Sequence, residues 1–586
     1  MNKRILALFL ALLLLLGCPT AWGEAATQAA YHWYDDAGLR HAALSLEEMP
    51  YEVYDPEHAY ALLAELETLG QSAGNDAGIC QCFQELIGEL NRAQTDYALA
   101  QLRYSENMAA DTYTDDIVAM NDTINTLLDD LYQVLAGLLA GDYGQLISQL
   151  LDDAALTEEL QSYTEMEDAL LELSHQAAEA VQRYNELTME EVSVTLDGET
   201  YTLDSAEEIE DDDKYWEVYT ALAQEQNALL APVLLELISL YNQAAELGGY
   251  DSAAQMFYES QYGRDFTPED ARKLHAAVKE SIVPLHQEVE ALLTSYPAQN
   301  VLGDLTAEEI MDIVGSYIGK VDSDLALSFA HMSQGGLYAI DFYSGRGDGY
   351  TIPLPQYSDA AIFIDLLGDD TDVETLVHEF GHYNAMFHQN MNALNFSFSM
   401  DTSEIHSQGL EVLFLPYADD IYGAENGMAR KLNVIYSILD SIIQGCLQDE
   451  FQQEAYAAAK DHTLTVEELN RLAYRLYSEY GMNIMSGAEQ LYGWVTIPHT
   501  FEVPFYYISY AASAVNALDI LSISQADYQK AVDTYMSLTA LPASVSYQDA
   551  LAQVGLHNTF EPDTLQFIRA GVEDYIASLT VISAAA

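Results

Sequence analysis

The chain has 586 residues, half of them hydrophobic, and its 20 Lys and Arg against 94 Asp and Glu give a net charge of −74. A chain of this length can bury a large core and form two or more domains or lobes. Because so negative a surface repels nucleic-acid phosphates and anionic lipid head groups, we expect no nucleic-acid partner and interpret the acidity as a solvated exterior.

The first 23 residues predict export from the cytoplasm. A basic start, Met1–Arg4, precedes an apolar run at 5–16 that is too short to span a bilayer permanently. The run ends in Leu-Leu-Gly-Cys18, which resembles a bacterial lipoprotein box, while cleavage after Gly23 is the alternative. We therefore expect residues 1–23 to be a signal peptide with lipidation at Cys18, and the protein to be a cell-surface lipoprotein or secreted. No later segment is expected to cross a membrane.

The N-terminal third has the helical spacing of Leu, Ala and Tyr. It predicts helices at about 56–70, 79–106, 112–140, 143–152 and 157–187. Alternation on both sides of Asp197-Gly198 then predicts a β-hairpin within 191–203. We place a domain boundary there, between an N-terminal helical region at 24–195 and a second domain at 196–586.

The second domain is also predicted to be mainly helical. Start signals at Thr267-Pro268 and Thr306 open two helices, and others are expected at 214–248, 404–414, 428–457 and 465–481. A stretch rich in Gly and Pro interrupts them. It predicts strands at 337–342, 350–354 and 361–366, which would form a small sheet whose edge can accept an extended peptide.

Three cysteines remain after Cys18. Cys80 and Cys82 are one residue apart, which suits neither a mutual disulfide nor a zinc knuckle. We interpret them as core residues, and the sequence leaves open a bridge from one of them to Cys446.

A motif at 371–382 has the spacing of a metal site. His378 and His382 are four residues apart, so on a helix both lie on one face and can bind one Zn²⁺. Glu379 follows the first histidine directly, where its carboxylate can reach a metal-bound water as general base. Thr371 and Glu374 form a capping-box pattern, which predicts that the helix begins at Thr371.

A third protein ligand is required, and several residues compete for that role. His388 lies six residues after His382, but if the helix continues that far, six steps of 100° turn His388 away from the metal face. Glu404 and Glu411 are seven residues apart on one face of the next predicted helix. Asp401 is a further, less suitably placed acid.

Four segments carry a family resemblance. Thr-Leu-Val-His-Glu-Phe-Gly-His at 375–382 resembles the signature of the thimet oligopeptidase and oligoendopeptidase F family of zinc peptidases. The acids and Ser-Gln at 404–411 resemble that family's third-ligand helix, which makes the site of the gluzincin type. Trp-Val-Thr-Ile-Pro-His at 494–499 and the tyrosines at 504–510 resemble its His-and-tyrosine segment. The resemblance is strongest over residues 335–515.

The resemblance implies a mainly α, two-lobed, zincin-like fold with a small sheet beside the metal helix. It further implies that His378, His382 and Glu404 bind one zinc ion per chain and that Glu379 is the base. The domain at 196–586 would then be the metallopeptidase domain.

The same resemblance assigns hydrogen-bonding roles. His499 and one or two of Tyr506, Tyr507 and Tyr510 would donate to the substrate carbonyl or the developing oxyanion. The tyrosine pattern departs from the family by an insertion, so the active tyrosine stays open. Glu411 would orient an imidazole through a hydrogen bond.

These observations predict a zinc-dependent oligoendopeptidase that hydrolyses short peptides outside the cytoplasm, and whose only contact with a membrane is the lipid anchor. A zinc carboxypeptidase or dipeptidase on the same scaffold is the first alternative. A non-catalytic peptide-binding lipoprotein is the second, although it would not need Glu379 beside paired histidines.

Overall fold

A computed structural model describes residues 32–585 except 37, 108–111, 152–153, 162–167, 345–346, 390–393, 395–398 and 483–485. The predicted signal peptide and Cys18 lie outside the described residues.

The N-terminal region is a small hairpin followed by helices, as the periodicity predicts. The hairpin pairs β1 (His32–Tyr34) with β2 (Arg40–Ala42). The helices are α1 (Glu57–Gly70), α2 (Asp76–Glu106), α3 (Thr112–Ala140), α4 (Gly144–Leu151), α5 (Ala154–Gln161) and α6 (Asp168–Thr188). The single helix predicted at 157–187 corresponds to α5 and α6 in the described residues, and whether it is continuous stays a prediction, because residues 162–167 between them lie outside the described part of the chain.

The central region opens with the predicted hairpin, β3 (Ser193–Leu196) and β4 (Glu199–Thr202). Asp197 and Gly198 both have positive φ, as a tight two-residue turn between strands requires. The helices that follow are α7 (Leu203–Glu207), α8 (Asp212–Gly248), α9 (Ala253–Met256), a π-helical turn (Phe257–Gln261), α10 (Pro268–Ser295), α11 (Ala307–Val321) and α12 (Ser323–Gly335). The predicted start signals at Thr267 and Thr306 are confirmed as capping boxes.

Helix α8 corrects one expectation from the sequence. By length and composition it could cross a membrane, although no segment after the signal peptide was expected to do so. Half of the residues in its most apolar window are buried inside the protein, where Leu230, Leu234 and Leu237 join the main core. The apolar character of α8 is therefore explained by packing within the protein.

The predicted sheet is confirmed, with three strands. They are β5 (Tyr338–Asp341), β6 (Gly349–Leu354) and β7 (Asp359–Asp365). Strand β7 is central and buried throughout, which explains its continuous apolar sequence. It pairs parallel with β5 and antiparallel with β6, with Tyr350 opposite Phe363. Strand β6 is thus one edge of the sheet.

The C-terminal region is helical. Its helices are α13 (Thr371–Phe387), α14 (Met400–Phe414), α15 (Ala418–Tyr422), α16 (Ala424–Asp461), α17 (Val466–Glu479), α18 (Gly487–Tyr492), α19 (His499–Glu502), α20 (Ile508–Ala526), α21 (Tyr528–Thr539), α22 (Tyr547–Val554) and α23 (Thr564–Ala585). The predicted mainly α class with a small sheet is confirmed.

Two large hydrophobic cores organise the chain. One lies among α1 to α5, and the other joins α6, α8, the three-stranded sheet and the C-terminal helices. Helix α2 contributes to both cores, with Leu86 in the first and Leu99 in the second. The predicted domain boundary at residues 195/196 stays a prediction.

The three cysteines that the structure describes are free thiols, and Cys80, which was expected in the core, is only partly buried. Cys82 is buried in the N-terminal core, whereas Cys446 is buried in the main core. The bridge that the sequence left open is not formed.

The metal helix α13 begins at Thr371 as predicted, but the predicted capping box there is wrong. Helix α13 has no side-chain cap of that kind. Glu374 instead turns towards Arg430 of α16, with 3.7 Å between their nearest atoms. The carboxylate of Asp372 accepts hydrogen bonds from the backbone N–H groups of Leu367, Gly368 and Asp369, at 2.9, 2.8 and 3.2 Å. Asp372 therefore connects the loop after β7 to the start of α13.

We expect D372A to lower the free energy of unfolding by about 2–3 kcal/mol, because it leaves three partly buried backbone N–H groups without their charged acceptor. E308A is the matched control, since Glu308 is an exposed acid in the first turn of α11. Its interaction with the helix dipole stabilises the folded state by less than about 1 kcal/mol, so we expect a smaller loss for this variant. Urea denaturation measures both. Equal losses for the two variants would contradict this role of Asp372.

Candidate metal centre

The structure brings three predicted ligands together. His378 and His382 lie one turn apart on α13, with ring centroids 5.2 Å apart. From α14, Oε2 of Glu404 lies 3.4 Å from Nε2 of His378 and 3.6 Å from Nε2 of His382. Among the described residues this is the one group of three metal-binding side chains whose donor atoms converge, all within 4.8 Å of one another.

The donor set fits zinc. Two ligands at about 2.0–2.1 Å from a tetrahedral ion are about 3.4 Å apart, which agrees with the Glu404 distances to His378 and His382. Two imidazoles and one carboxylate leave a fourth position for water or substrate, as catalytic zinc sites require. All three side chains are partly exposed, so solvent can reach the centre.

A close approach of two helices makes this convergence geometrically feasible. A Cβ at Gly381 would clash with the backbone carbonyl oxygen of His406 and would lie 2.7 Å from Cα of Ser407. Only glycine therefore allows α13 to lie directly against α14 at this level. Gly381 precedes His382 by one residue, so the helices touch where the ligands are.

His378 is oriented by a second acid. Its Nδ1 lies 2.6 Å from Oε1 of Glu411, one of the shortest polar contacts at the site. A proton donated from Nδ1 leaves the lone pair of Nε2 directed towards Glu404 and His382, as a metal ligand needs. Burial would lower the pKa of His378, but hydrogen bonds to Glu404 and Glu411 raise it well above its usual range.

Glu404 is kept ionised. Burial would raise its pKa, but His382 and His378 lower it to about 2. The hydroxyl of Ser407 donates to Oε2 of Glu404 at 2.7 Å and restrains the same oxygen that faces the histidines. The result is a localised negative charge between two imidazoles, which suits a divalent cation.

Glu379 lies between the metal helix and the edge strand. Its residue is 5% exposed, and the hydroxyl of Thr351 on β6 lies 2.8 Å from its Oε2. A Cβ on Gly349 would lie 3.2 Å from Cγ of Glu379, so the strand passes close to this side chain. The carboxylate is thus held against the edge strand of the sheet, on the residue that directly follows His378 along α13.

The other candidate ligands are directed elsewhere. Helix α13 continues to Phe387, so His388 is past its end and its ring packs against Phe387. Asp401 is buried and forms an ion pair with Arg264 at 3.1 Å. Neither belongs to the converging group.

The predicted histidine and tyrosines form one aromatic cluster. The His499 ring lies 5.5 Å from that of Tyr506, 5.0 Å from Tyr507 and 6.3 Å from Tyr510. Its Nδ1 is buried and has no hydrogen-bond partner among the residues that the structure describes, and burial lowers the pKa of the ring. A neutral imidazole with an unused nitrogen is therefore available at this position.

Electrostatics distinguish the three tyrosines. Burial raises the pKa of Tyr510 to about 12 and that of Tyr506 well above its usual value, and in both the negative charge of Glu404 contributes. For Tyr507 burial is the cause. Tyr506 and Tyr510 are therefore near enough to Glu404 for its charge to raise their pKa values. Tyr510 is the more exposed of these two.

A pocket of about 420 Å³ adjoins the edge strand. It lies between β6 and helices α2 and α3. The residues that line it include Tyr104, Ile117, Val118, Tyr350, Thr351 and Ile352. No charged side chain is among its described lining residues, and the hydroxyl of Tyr350 donates to Ser105 of α2 at 2.9 Å. Thr351 belongs both to this pocket and to the contact with Glu379.

Sequence reasoning missed several residues at the site. Thr351 is one of many threonines, and Gly381 lies within the motif but was not predicted to allow helix contact. Arg264 lies more than a hundred residues from the motif at 371–382 and from the later site motifs. Only the scarcity of basic residues, 20 in the chain, could have drawn attention to it.

Solved peptidase structures share this fold. A structure of PZ peptidase A with an inhibitor gives a TM-score of 0.73 at 19% identity, over 91% of this chain and 99% of that chain. A protein named as an oligoendopeptidase F gives a TM-score of 0.74 at 18% identity, over 92% of this chain and 99% of that chain. Oligoendopeptidase F from Enterococcus faecium gives a TM-score of 0.57 at 13% identity, over 90% of this chain and 99% of that chain. No family model and no curated protein matches the sequence. At these identities the likeness establishes architecture, and the chain has the oligoendopeptidase F fold.

Proposed function

We propose that this protein is a zinc-dependent oligoendopeptidase that hydrolyses short peptides. The observation that carries the proposal is the convergence of His378, His382 and Glu404, with Glu379 directly following His378 on α13. Two imidazole nitrogens and one carboxylate form a donor set of catalytic zinc, and peptidases of the same fold support the reaction class.

A zinc ion bound by these ligands would act as a Lewis acid on water and on the scissile carbonyl. Glu379 then serves as the general base that takes the proton from the attacking water and passes it to the leaving amine. Thr351 holds one oxygen of Glu379 by a hydrogen bond at 2.8 Å. Glu411 keeps His378 in the tautomer that ligation needs.

Tyr510 and His499 are the proposed donors to the oxyanion. The charge of Glu404 contributes to the raised pKa of Tyr510, and this residue is partly exposed, which supports its hydroxyl as the donor to a carbonyl bound at the centre. Tyr506 is more deeply buried and hydrogen-bonds to Tyr510, which suits a supporting role. Tyr507 lies against His499, and burial is the cause of its raised pKa.

The substrate is proposed to lie along β6. An extended peptide can add to an exposed strand edge through main-chain hydrogen bonds and send alternate side chains to opposite sides. The contact of Thr351 with Glu379 places this edge beside the base. The apolar pocket on the same strand would take a neutral apolar side chain of the peptide.

Endopeptidase and exopeptidase action differ in what blocks the ends of the substrate path. Action within a peptide is favoured here because the similar structures that cover nearly this whole chain are named as oligoendopeptidases. A zinc carboxypeptidase or dipeptidase is the second candidate. Mass spectrometry of the products from a peptide blocked at both termini separates them, since only an endopeptidase cleaves it.

We also propose that the mature protein acts outside the cytoplasm, attached by a lipid at Cys18 or secreted after cleavage near Gly23. The basic and apolar start of the chain supports this proposal. Globomycin treatment of expressing cells tests it, because only a lipoprotein precursor would accumulate.

The E379Q variant tests the base. We expect kcat/KM on a quenched fluorogenic peptide to fall at least about 10³-fold, because proton transfer in the transition state is lost. Metal content measured by mass spectrometry should stay at one zinc per chain, since Glu379 is not a ligand. E308Q, at the exposed acid on α11, is the control and should retain wild-type turnover. Peptide turnover by E379Q at the wild-type rate would exclude this role.

The Y510F and Y507F variants compare two tyrosines of one cluster. Loss of an oxyanion donor lowers kcat by about 10²- to 10³-fold. We therefore expect kcat to fall by that factor in Y510F and by less than about tenfold in Y507F. KM should change little in either variant. The reverse order in steady-state kinetics would assign the donor to Tyr507.

The V118D variant tests the apolar pocket. Val118 is 58% exposed in the protein and lines the pocket, so an acid there should raise KM about tenfold for peptides with a matching apolar residue, with little change in kcat. L247D is the control, because Leu247 is an exposed apolar residue on α8. An unchanged KM across a peptide library would show that the pocket lies off the substrate path.

A further inference from the structure

A strained turn carries two of the tyrosines. We call residues 503–507, between α19 and α20, the tyrosine turn. Within it Phe505 has φ of +63°, and its ring is fully buried. A bulky residue with positive φ costs on the order of 1–3 kcal/mol, so the surrounding structure must hold it in place. Of the non-glycine residues described with positive φ, the other two are Asp197 and Ser358, small polar residues that tolerate this conformation better.

Three side chains from two other parts of the chain hold the backbone of this turn. The N–H of Phe505 donates to the side-chain oxygen of Gln452 on α16. The carbonyl of Phe505 accepts from Nη1 of Arg264 at 3.0 Å. The carbonyl of Pro504 accepts from the hydroxyl of Tyr262 at 2.8 Å. Three consecutive polar groups of the turn therefore have buried side-chain partners.

Arg264 is the centre of this arrangement. Its side chain is 0% exposed, and its guanidinium lies 4.4 Å from the ring centroids of both Tyr258 and Tyr262. Tyr258 lies within the π-helical turn at Phe257–Gln261, and Tyr262 directly follows it. Such turns are frequent at functional sites. The π turn brings both rings onto the guanidinium.

The same guanidinium binds the third-ligand helix. Its Nε donates to Oδ1 of Asp401 at 3.1 Å, and Nη2 donates to the hydroxyl of Ser509 at 2.9 Å. Ser509 in turn donates to Oδ1 of Asp401 at 2.7 Å. Asp401 precedes Glu404 by three residues on α14, and Ser509 precedes Tyr510 by one residue on α20. One cation thus connects the helix of a proposed metal ligand to the segment of the proposed oxyanion donors.

A buried ion pair by itself is weak evidence for stability, because desolvation offsets its attraction, and a hydrophobic replacement is often as stable. The specific contribution of the ion pair between Arg264 and Asp401 is to fix geometry. A planar guanidinium with donors in a fixed fork sets the positions of all its acceptors at once. Here those acceptors are Asp401, Ser509 and the carbonyl of Phe505.

We propose that Arg264 is a positioning residue that sets the distance between the tyrosines and the metal centre. It holds the strained tyrosine turn and Ser509 against Asp401 of α14, and so fixes the segment of Tyr506 and Tyr510 relative to the helix that carries Glu404. The proposal rests on the proposed peptidase function for its kinetic consequence, whereas its structural consequence can be measured without catalysis.

The R264K variant is the first test. Lysine keeps the charge near Asp401 but cannot contact Asp401, Ser509 and Phe505 in one plane. We expect kcat to fall 10- to 100-fold with KM within about threefold, since misplaced donors act on the transition state. Zinc content should remain at one per chain. A fall in metal content that accounts for the lost activity would overturn the proposal.

A double-mutant cycle with Y510F separates positioning from a general loss of structure. If Arg264 acts by placing Tyr510, R264K should reduce kcat by less than about threefold in the Y510F background. If the two substitutions acted independently, their effects on kcat would multiply. A further 10- to 100-fold fall in kcat on adding R264K to Y510F would therefore overturn the proposal.

Hydrogen exchange tests the same idea without catalysis. The backbone amides of Tyr506, Ser509 and Tyr510 donate hydrogen bonds to carbonyls within the turn. In R264K these amides should exchange at least tenfold faster than in the wild type, while the exchange rates of the amides in α13 stay unchanged. Unchanged exchange would overturn the positioning role. If the wild type cleaves no peptide, the peptidase proposal fails while this measurement still decides the role of Arg264.

A milder pair of variants decides the matter if R264K does not fold. Y262F removes the hydroxyl that holds Pro504, and Y528F removes a hydroxyl that donates at 2.7 Å to Leu413 near the other end of α14. We expect at least a fivefold fall in kcat for Y262F and less than a twofold change for Y528F. Equal effects of the two variants on kcat would overturn the proposal.

Discussion

The contact between α13 and α14 is the constraint on which the site depends. Both histidines are on one helix, so their spacing is local, but the carboxylate of Glu404 must come from another element. The missing side chain of Gly381 lets the two backbones approach where His406 and Ser407 lie. With any larger residue the helices would separate, and the donor atoms of Glu404 and His382, now 3.6 Å apart, would separate with them.

A second feature is that three side chains at the centre are each held by a partly buried polar contact. Glu411 holds His378, Ser407 holds Glu404 and Thr351 holds Glu379. Each partner comes from a helix or strand with its own place in the main core. Because rigid elements supply them, the side chains are oriented before any ligand binds, which is what a catalytic centre requires.

The sequence predicted local features well. The helices, the hairpin at Asp197-Gly198 and the capping boxes at Thr267 and Thr306 depend on residues within a few positions of one another, and they lie where the pattern placed them. The capping box at Thr371 failed for a tertiary reason. Arg430, far along the chain, attracts Glu374 and leaves Asp372 to hold the loop before the helix.

By itself the sequence determined the elements of secondary structure and the one-turn spacing of His378 and His382, because helical periodicity is a property of neighbouring residues. Only the tertiary structure decided that Glu404, and neither His388 nor Asp401, lies beside them. It also decided that Arg264 joins the ligand helix to the tyrosine turn. These contacts join residues that are distant in the chain, and they depend on packing that no local pattern encodes.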